Sequence, residues 1–413
     1  MKTITLCALL VSTVVLVGGV QAGDSPRFRG PAGDGVFAET GLLKQWPEGG
    51  PKLVWSADGL GPGYSSAVVV KGTVYITGMD DQKQGHLIAF TLDGPQKWKT
   101  AYGPELGKTG PAPGGTRGTP TVDGDRAFLQ TGFAKLVILD AGSGALLKTV
   151  DLLDRFGAGQ AKFGFAEGVL VDGRRVICTP GGTDASLVAL DRDTGDAIWQ
   201  STGLSEPAGY CTPRFISHGG RKIVVTMLSK SVAAVDPETG KVLWEYPYPN
   251  RFGVMPNPPL YADGMLYVCA GGGTGGAMLA LADDGGGVTP GWTDRTLDCQ
   301  MHGTVLVDGC IYGTAQSANR GLVCLDWKTG EVRWNAGDVK QAAVVAADGM
   351  LYVYGQDGTV RLVKPNPEAF EPAGQFTVAA GDGEHWAHPT VANGRLYIRH
   401  GDVLLVYDVK AGS

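Results

Sequence analysis

Short runs of alternating apolar and polar residues recur along the chain, and a turn-forming sequence follows many of them. The clearest copy runs from Ala234 to Trp244 with the spacing Ala-x-Asp-x-x-Thr-Gly-x-x-x-Trp. The same spacing returns at Ala189–Trp199, and at Cys324–Trp334 with Cys in the first position. Each copy predicts a β-strand, a turn that begins at Asp and closes at Gly, and a second strand that ends in Trp.

A second marker, a Gly-closed turn followed by a β-rich segment, occurs eight times. The marker glycines are Gly72, Gly124, Gly173, Gly220, Gly264, Gly309, Gly349 and Gly394, and successive ones are 40 to 52 residues apart. This period is typical of one four-stranded propeller blade, whereas a helical solenoid would need a 3.6-residue pattern that is missing. The sequence therefore predicts an all-β fold, an eight-bladed β-propeller of four-stranded blades.

The two ends of the chain complement each other. The last copy stops at Ser413 without a strand that ends in Trp, while Lys52–Trp55 is such a strand with none before it. We therefore expect Lys52–Trp55 to complete the last blade and close the ring, which leaves no open sheet edge.

Residues 1–22 have the charged start, apolar middle and small-residue end of a secretory signal peptide. Residues 23–50 are rich in Gly and Pro and are expected to lie over one face, and residues 51–413 form the propeller. The apolar run is short for a membrane span. A net charge of −6 argues against nucleic acid or an anionic membrane as partner. We expect an exported protein, periplasmic or extracellular, that is a monomer.

Six cysteines follow the predicted cleavage point, and their even number in an exported chain is compatible with disulfides. Cys310 and Cys324 flank a predicted hairpin centred near Ser317. They could face each other as a disulfide or remain a pair of buried thiols.

The loops that enter the innermost strands of a propeller meet at the axial funnel, so equivalent loop positions should share a face. Polar and aromatic residues are concentrated there, as in a small-molecule pocket. The candidate ligand-binding residues are Tyr64, Arg117, Thr119, Phe165, Glu167, Tyr210, Asn257, His302, Trp386 and His388. The alternative is a water-filled channel that needs polar walls without any ligand. His302 and His388 could bind a metal with Glu167 or Asn257, but no short-range ligand spacing supports a metal site.

The Asp-x-x-Thr-Gly-x-x-x-Trp hairpins resemble the repeats of pyrroloquinoline-quinone (PQQ) type propellers, which include quinoprotein alcohol dehydrogenases and the BamB subunit of the outer-membrane assembly machinery. The stretches Phe28–Pro31, Arg117–Pro120, Met301–Gly303 and Trp386–Pro389 are similar to exported propeller proteins of planctomycete-type bacteria. The resemblance covers nearly the whole mature chain and implies the fold more strongly than an activity.

The resemblance makes PQQ and calcium candidate cofactors. The quinone enzymes of this group carry two adjacent cysteines and an acidic calcium site, and no two cysteines are adjacent here. The leading hypothesis is a non-catalytic protein that binds a partner protein or a small ligand at the funnel. The alternatives are a PQQ- or metal-dependent oxidoreductase and a BamB-like envelope assembly scaffold.

Overall fold

The computed structural model of the protein describes residues 23–108, 112–316 and 321–412 and confirms the eight-bladed propeller. In every blade the strands, named A to D from the channel axis outward, form one antiparallel sheet. Blades 1 to 4 comprise Val68–Val70, Thr73–Met79, Gln84–Thr91 and Gln96–Pro104; Thr121–Asp123, Arg126–Gln130, Lys135–Asp140 and Leu146–Asp151; Leu170–Asp172, Arg175–Cys178, Val188–Asp191 and Ala197–Gln200; and Arg214–His218, Arg221–Met227, Ser231–Val235 and Val242–Pro247.

Blades 5 to 8 repeat the same order. Their strands are Leu260–Ala262, Met265–Ala270, Gly275–Leu281 and Val288–Asp294; Val305–Val307, Cys310–Ala315, Gly321–Asp326 and Val332–Ala336; Ala342–Ala347, Met350–Gly355, Thr359–Lys364 and Glu371–Thr377; and Thr390–Ala392, Arg395–His400, Val403–Asp408 and Leu53–Ala57. A short strand, Val36–Phe37, adds to blade 7, and the helix in the described residues is Leu152–Phe156. The predicted signal peptide lies outside the described residues.

The Asp-Thr-Gly turns link strands C and D. The Asp side chain stabilises each turn by accepting hydrogen bonds from its backbone N–H groups. In blade 4, Asp236 Oδ1 accepts hydrogen bonds from the backbone N–H groups of Glu238 and Thr239, both at 3.0 Å. Gly240 follows with a φ of +73°, and a Cβ there would lie 2.4 Å from the ring of Trp199 in blade 3. The glycine therefore permits both the left-handed backbone and the close approach of the neighbouring blade.

The Trp residues of strand D lie against the next blade, and the strand continues past them rather than ending there as the sequence pattern predicted. Indole Nε1 donates to a backbone carbonyl of the following C–D turn in three cases: Trp199 to Pro237, Trp334 to Asn366, and Trp55 to Leu92, at 2.6–2.9 Å. Each indole thus buries apolar area and satisfies its polar group across a blade boundary.

The ring closes as the sequence predicts. Leu53–Ala57 pairs antiparallel with Val403–Asp408, and Trp55 lies opposite Val406. Blade 8 therefore consists of three inner strands from the end of the chain and one outer strand from its beginning.

We expect Trp55→Ala to lower the free energy of unfolding by about 2–3 kcal/mol, because it removes a large side chain at the closure. Trp55 packs in the cluster between blades 8 and 1, near Phe90. Val54→Ala is the matched control, since Val54 is 41% exposed in the same strand. Denaturant unfolding of both variants measures the difference. Equal losses would mean that the closing strand contributes no specific packing.

The six cysteines in the described part of the chain are buried and free. Cys324 lies opposite Tyr312, and Cys310 lies opposite Asp326, in the B–C hairpin of blade 6. Of the two alternatives for this pair, the structure has the buried thiols.

Candidate functional site

The N-terminal segment runs through the axial channel along the inner strands. Ser25 exchanges backbone hydrogen bonds with Val69 of blade 1, and Val36–Phe37 pairs parallel with Ala346–Ala347 of blade 7. The sequence placed this segment over one face, and a Gly- and Pro-rich stretch without a repeat gave no sign that it would add to strand A. It lies between the two ends of the channel. We call the end at which the chain enters each strand A the entry face, and the end at which the A–B turns lie the turn face.

Arg29 anchors this segment at the channel axis. It is 2% exposed and has a φ of +61°, and its guanidinium donates to the carbonyls of Thr304, Val344 and Asp34 at 2.6, 3.2 and 3.2 Å. Burial lowers its pKa to about 10, so that it remains a cation at neutral pH. Carbonyl dipoles from three parts of the chain therefore hold one buried charge.

Arg29 also fixes the ring of His388. Arg29 Nη1 lies 3.0 Å from His388 Nδ1, which must accept, and His388 Nε2 lies 2.9 Å from the carbonyl of Met301, to which it donates. Burial first, and the Arg29 charge second, hold the pKa of His388 well below its ordinary value. The ring is therefore neutral, and both of its nitrogen atoms are occupied.

A cavity of about 380 Å³ opens on the entry face above the N-terminal segment. Six of the ten residues predicted from the sequence line it: Tyr64, Arg117, Thr119, Tyr210, Trp386 and His388. The wall also includes residues that sequence reasoning did not select, among them Phe28, Phe163, Gln300 and Met301. The cavity therefore has a largely apolar wall with several aromatic rings and a few polar groups, the usual composition of a small-molecule site.

A cation and two aromatic rings stack along one side of this cavity. The guanidinium of Arg117 lies 5.7 Å from the centre of the Tyr64 ring, and the Tyr64 ring lies 5.2 Å from that of Trp386. Arg117 donates to the carbonyls of Gly115 and Pro113 at 3.2 and 2.8 Å. Stacking on a ring face and fixed backbone acceptors hold the guanidinium in place.

No carboxylate of the described residues forms an ion pair with Arg117, and the residues outside the described ranges include no Asp or Glu. The side chain is partly buried, and burial lowers its pKa. The charge of Glu105 acts on Arg117, but its carboxyl group accepts hydrogen bonds from Tyr102 and Gly132 and makes no direct contact with the guanidinium. A partly buried cation without a direct ion pair attracts an anionic group, because the low-dielectric wall strengthens its field.

The other four predicted residues lie behind the wall. Glu167 is 1% exposed, and its carboxyl group accepts from the backbone N–H groups of Ala166 and Tyr210, both at 2.9 Å. Tyr210 has a φ of +67°, so that this bond supports a strained backbone on the cavity wall. Burial raises the pKa of Glu167 to about 7. Glu167 therefore positions Tyr210.

Asn257 and His302 also have structural partners. Asn257 Nδ2 donates to the carbonyl of Cys299 at 2.7 Å, and its Oδ1 accepts from the N–H of Gly303 at 3.0 Å. His302 Nε2 lies 3.0 Å from Gln356 Nε2, and burial lowers the pKa of His302 to about 4. Phe165 packs in the core between blades 2 and 3. These side chains shape the loops that carry the cavity wall.

The residues in and behind the cavity wall do not fit a calcium-bound quinone. Calcium takes six to eight oxygen ligands, several of them carboxylates. Among the described residues, no group of three or more His, Cys, Asp or Glu side chains could hold a metal ion. The buried Glu167 already accepts two backbone hydrogen bonds.

The chain is therefore an eight-bladed β-propeller with a cavity at the axis of its ring. A family model described as outer membrane protein assembly factor BamB matches residues 32–145 and 83–336. The chain belongs to this family of PQQ-type β-propellers. No curated protein sequence matches the chain.

Several solved structures share the fold. BamB from Moraxella catarrhalis is similar over 87% of this chain and 99% of its own, with 16% identity and a TM-score of 0.64. The quinohemoprotein alcohol dehydrogenase from Comamonas testosteroni is similar over 96% of this chain and 82% of its own, with 14% identity and a TM-score of 0.67. At these identities the similarity shows the fold alone. No helix of the described residues is long and apolar enough to cross a membrane.

Proposed function

We propose that the protein is an exported, non-catalytic binding protein whose entry-face cavity holds a small ligand. The ligand has an apolar, partly aromatic body and an anionic group. The observation that carries the proposal is Arg117, a fixed cation without a direct ion pair to any carboxylate of the described residues, in a mainly apolar and partly aromatic wall. The anionic group would pair with Arg117, and the body would pack against Tyr64 and Trp386.

The contacts of the cavity residues favour binding over catalysis. His388 is the histidine of the wall, and its two ring nitrogen atoms are occupied by Arg29 and by the carbonyl of Met301. The carboxyl group of Glu167 lies behind the wall and supports Tyr210. A general base needs a basic atom within hydrogen-bond reach of its substrate. Both nitrogen atoms of His388 are occupied, and Glu167 is buried outside the cavity lining.

The test uses two probes that differ in charge. Anilinonaphthalene sulfonate has an aromatic body with one negative charge, and N-phenylnaphthylamine has the same body without the charge. We expect Arg117→Met to weaken sulfonate binding about 10- to 100-fold, the usual contribution of one charge-assisted contact. Binding of the neutral probe should change far less. Fluorescence titration measures both affinities.

Two further variants make this test specific. Trp386→Ala should weaken both probes, because it removes wall area that the aromatic body covers. Arg251→Met is the matched control, since Arg251 lies over the Phe252 ring at 5.1 Å but does not line the cavity. Equal effects of Arg117→Met on both probes, or no effect on either, would refute the proposed role of Arg117.

The family match also favours a second candidate, a scaffold in envelope assembly, because the matching model is described as an outer membrane protein assembly factor. This function predicts that the protein isolated from its native envelope carries outer-membrane proteins with it. Arg117→Met should leave that association unchanged, whereas loss of the association in this variant would link it to the cavity. Isolation without any outer-membrane protein would exclude the scaffold.

A further inference from the structure

Three arginines are buried around the channel axis with one carboxylate between them. Arg27, Arg29 and Arg214 are 8%, 2% and 5% exposed. Asp34 forms an ion pair with Arg214 at 3.3 Å, and no other acidic side chain of the described residues forms one with these arginines. The channel therefore holds an excess of buried positive charge, which is costly unless other groups compensate it.

Backbone carbonyls compensate two of these cations. Arg29 has its three carbonyl acceptors and His388, and Arg214 Nη1 donates to the carbonyl of Pro259 at 2.8 Å. Arg27 differs, because its Nε donates to the carbonyl of Pro31 at 3.0 Å while its two Nη atoms have no acceptor among the described residues. Most of the guanidinium N–H groups that lack an acceptor in these three arginines therefore belong to Arg27.

Arg27 faces a second cavity of about 380 Å³ at the turn face. Apolar side chains such as Val122 and Phe215 form much of its wall. Its two carboxylates have other partners: Asp24 accepts from the backbone N–H of Lys71 at 3.0 Å, and Asp123 pairs with Arg192 at 2.6 Å. The guanidinium of Arg27 thus has unused N–H donors that face an accessible space.

We propose that this turn-face cavity is an anion site that binds a small oxyanion, a carboxylate or a phosphate group, through Arg27. Four N–H groups on Nη1 and Nη2 offer the planar, forked geometry that matches two oxygen atoms of such a group. The neighbouring Arg214 adds positive charge, and Lys71 lies at the wall of the same cavity. The N-terminal segment separates this site from the entry-face cavity, so that it does not depend on the function proposed there.

The probes are inorganic phosphate and malonate, compared with chloride at equal ionic strength. We expect either oxyanion to raise the melting temperature saturably by roughly 2–5 °C, since a ligand that binds only the folded state stabilises it. A response to phosphate alone or to malonate alone identifies the preferred oxyanion. The same melting temperature in all three salts would overturn the proposal.

Arg27→Gln should abolish the saturable rise, whereas the matched variant Arg155→Gln should keep it, because Arg155 lies on the short helix away from this cavity. If Arg27→Gln folds poorly, Ala32→Glu provides an independent test. Ala32 is exposed on the cavity wall, and a carboxylate there should raise the melting temperature in chloride and remove the response to phosphate. An unchanged phosphate response in both variants would refute the site.

Discussion

Replacement of Arg29 by Met should lower the free energy of unfolding by about 3–5 kcal/mol. The substitution retains much of the apolar stem but leaves the carbonyls of Thr304, Val344 and Asp34 without their donor. Buried acceptors that lose their partner have an uncompensated desolvation cost of about 1–3 kcal/mol each, which water at a newly opened site offsets in part. Chemical denaturation measures the loss.

Arg251→Met controls for the chemistry of the substitution, because Arg251 is exposed on the entry face. We expect it to change stability by less than about 0.5 kcal/mol. Limited proteolysis gives a second readout, since release of the N-terminal segment should make residues 23–50 cleavable in the Arg29 variant. A small stability loss together with a protected segment would show that the segment is held by other contacts.

The ring could be predicted from the sequence because it is built from a repeat. The eight marker glycines report a local backbone requirement that each blade meets separately, and the Asp-Thr-Gly turns of blades 3, 4 and 6 report another, such as the left-handed Gly240. The closing strand followed from the same pattern, because Trp55 marks a strand D that the last copy lacks. Local rules that recur eight times leave little freedom for another topology.

The cavity could be predicted only in part. Neighbouring positions of an extended loop point in opposite directions, so that Thr119 lines the cavity while Phe165, from the equivalent loop, packs between blades. The N-terminal segment was harder still, because its contacts have no local pattern. Arg29 binds the carbonyl of Val344, 315 positions away, and Phe28 reaches the cavity wall. The motif Phe28–Pro31 was visible in the sequence, but its location in the channel was not.

The two buried groups His302 and Glu167 should give the stability opposite dependences on pH. Burial lowers the pKa of His302 to about 4, so between pH 6.5 and 4 the unfolded state binds more protons, and this histidine destabilises the fold on acidification. Burial raises the pKa of Glu167 to about 7, so between pH 4.5 and 7 the folded state binds more protons, and this carboxyl group stabilises the fold on acidification. From pH 7 to pH 5 each contribution amounts to about 2 kcal/mol, with opposite sign.

The two variants His302→Gln and Glu167→Gln should therefore tilt the pH profile in opposite directions. The measured quantity is the free energy of unfolding at pH 7 minus that at pH 5, in which a pH-independent cost of each substitution cancels. Relative to the unmodified protein, we expect this difference to fall by about 2 kcal/mol in His302→Gln and to rise by about 2 kcal/mol in Glu167→Gln. His218→Gln serves as the control, because His218 lies at the rim of blade 4 with an exposed contact to the carbonyl of Ala282. A shift of the same sign in both variants would show that the two groups are not held neutral by burial.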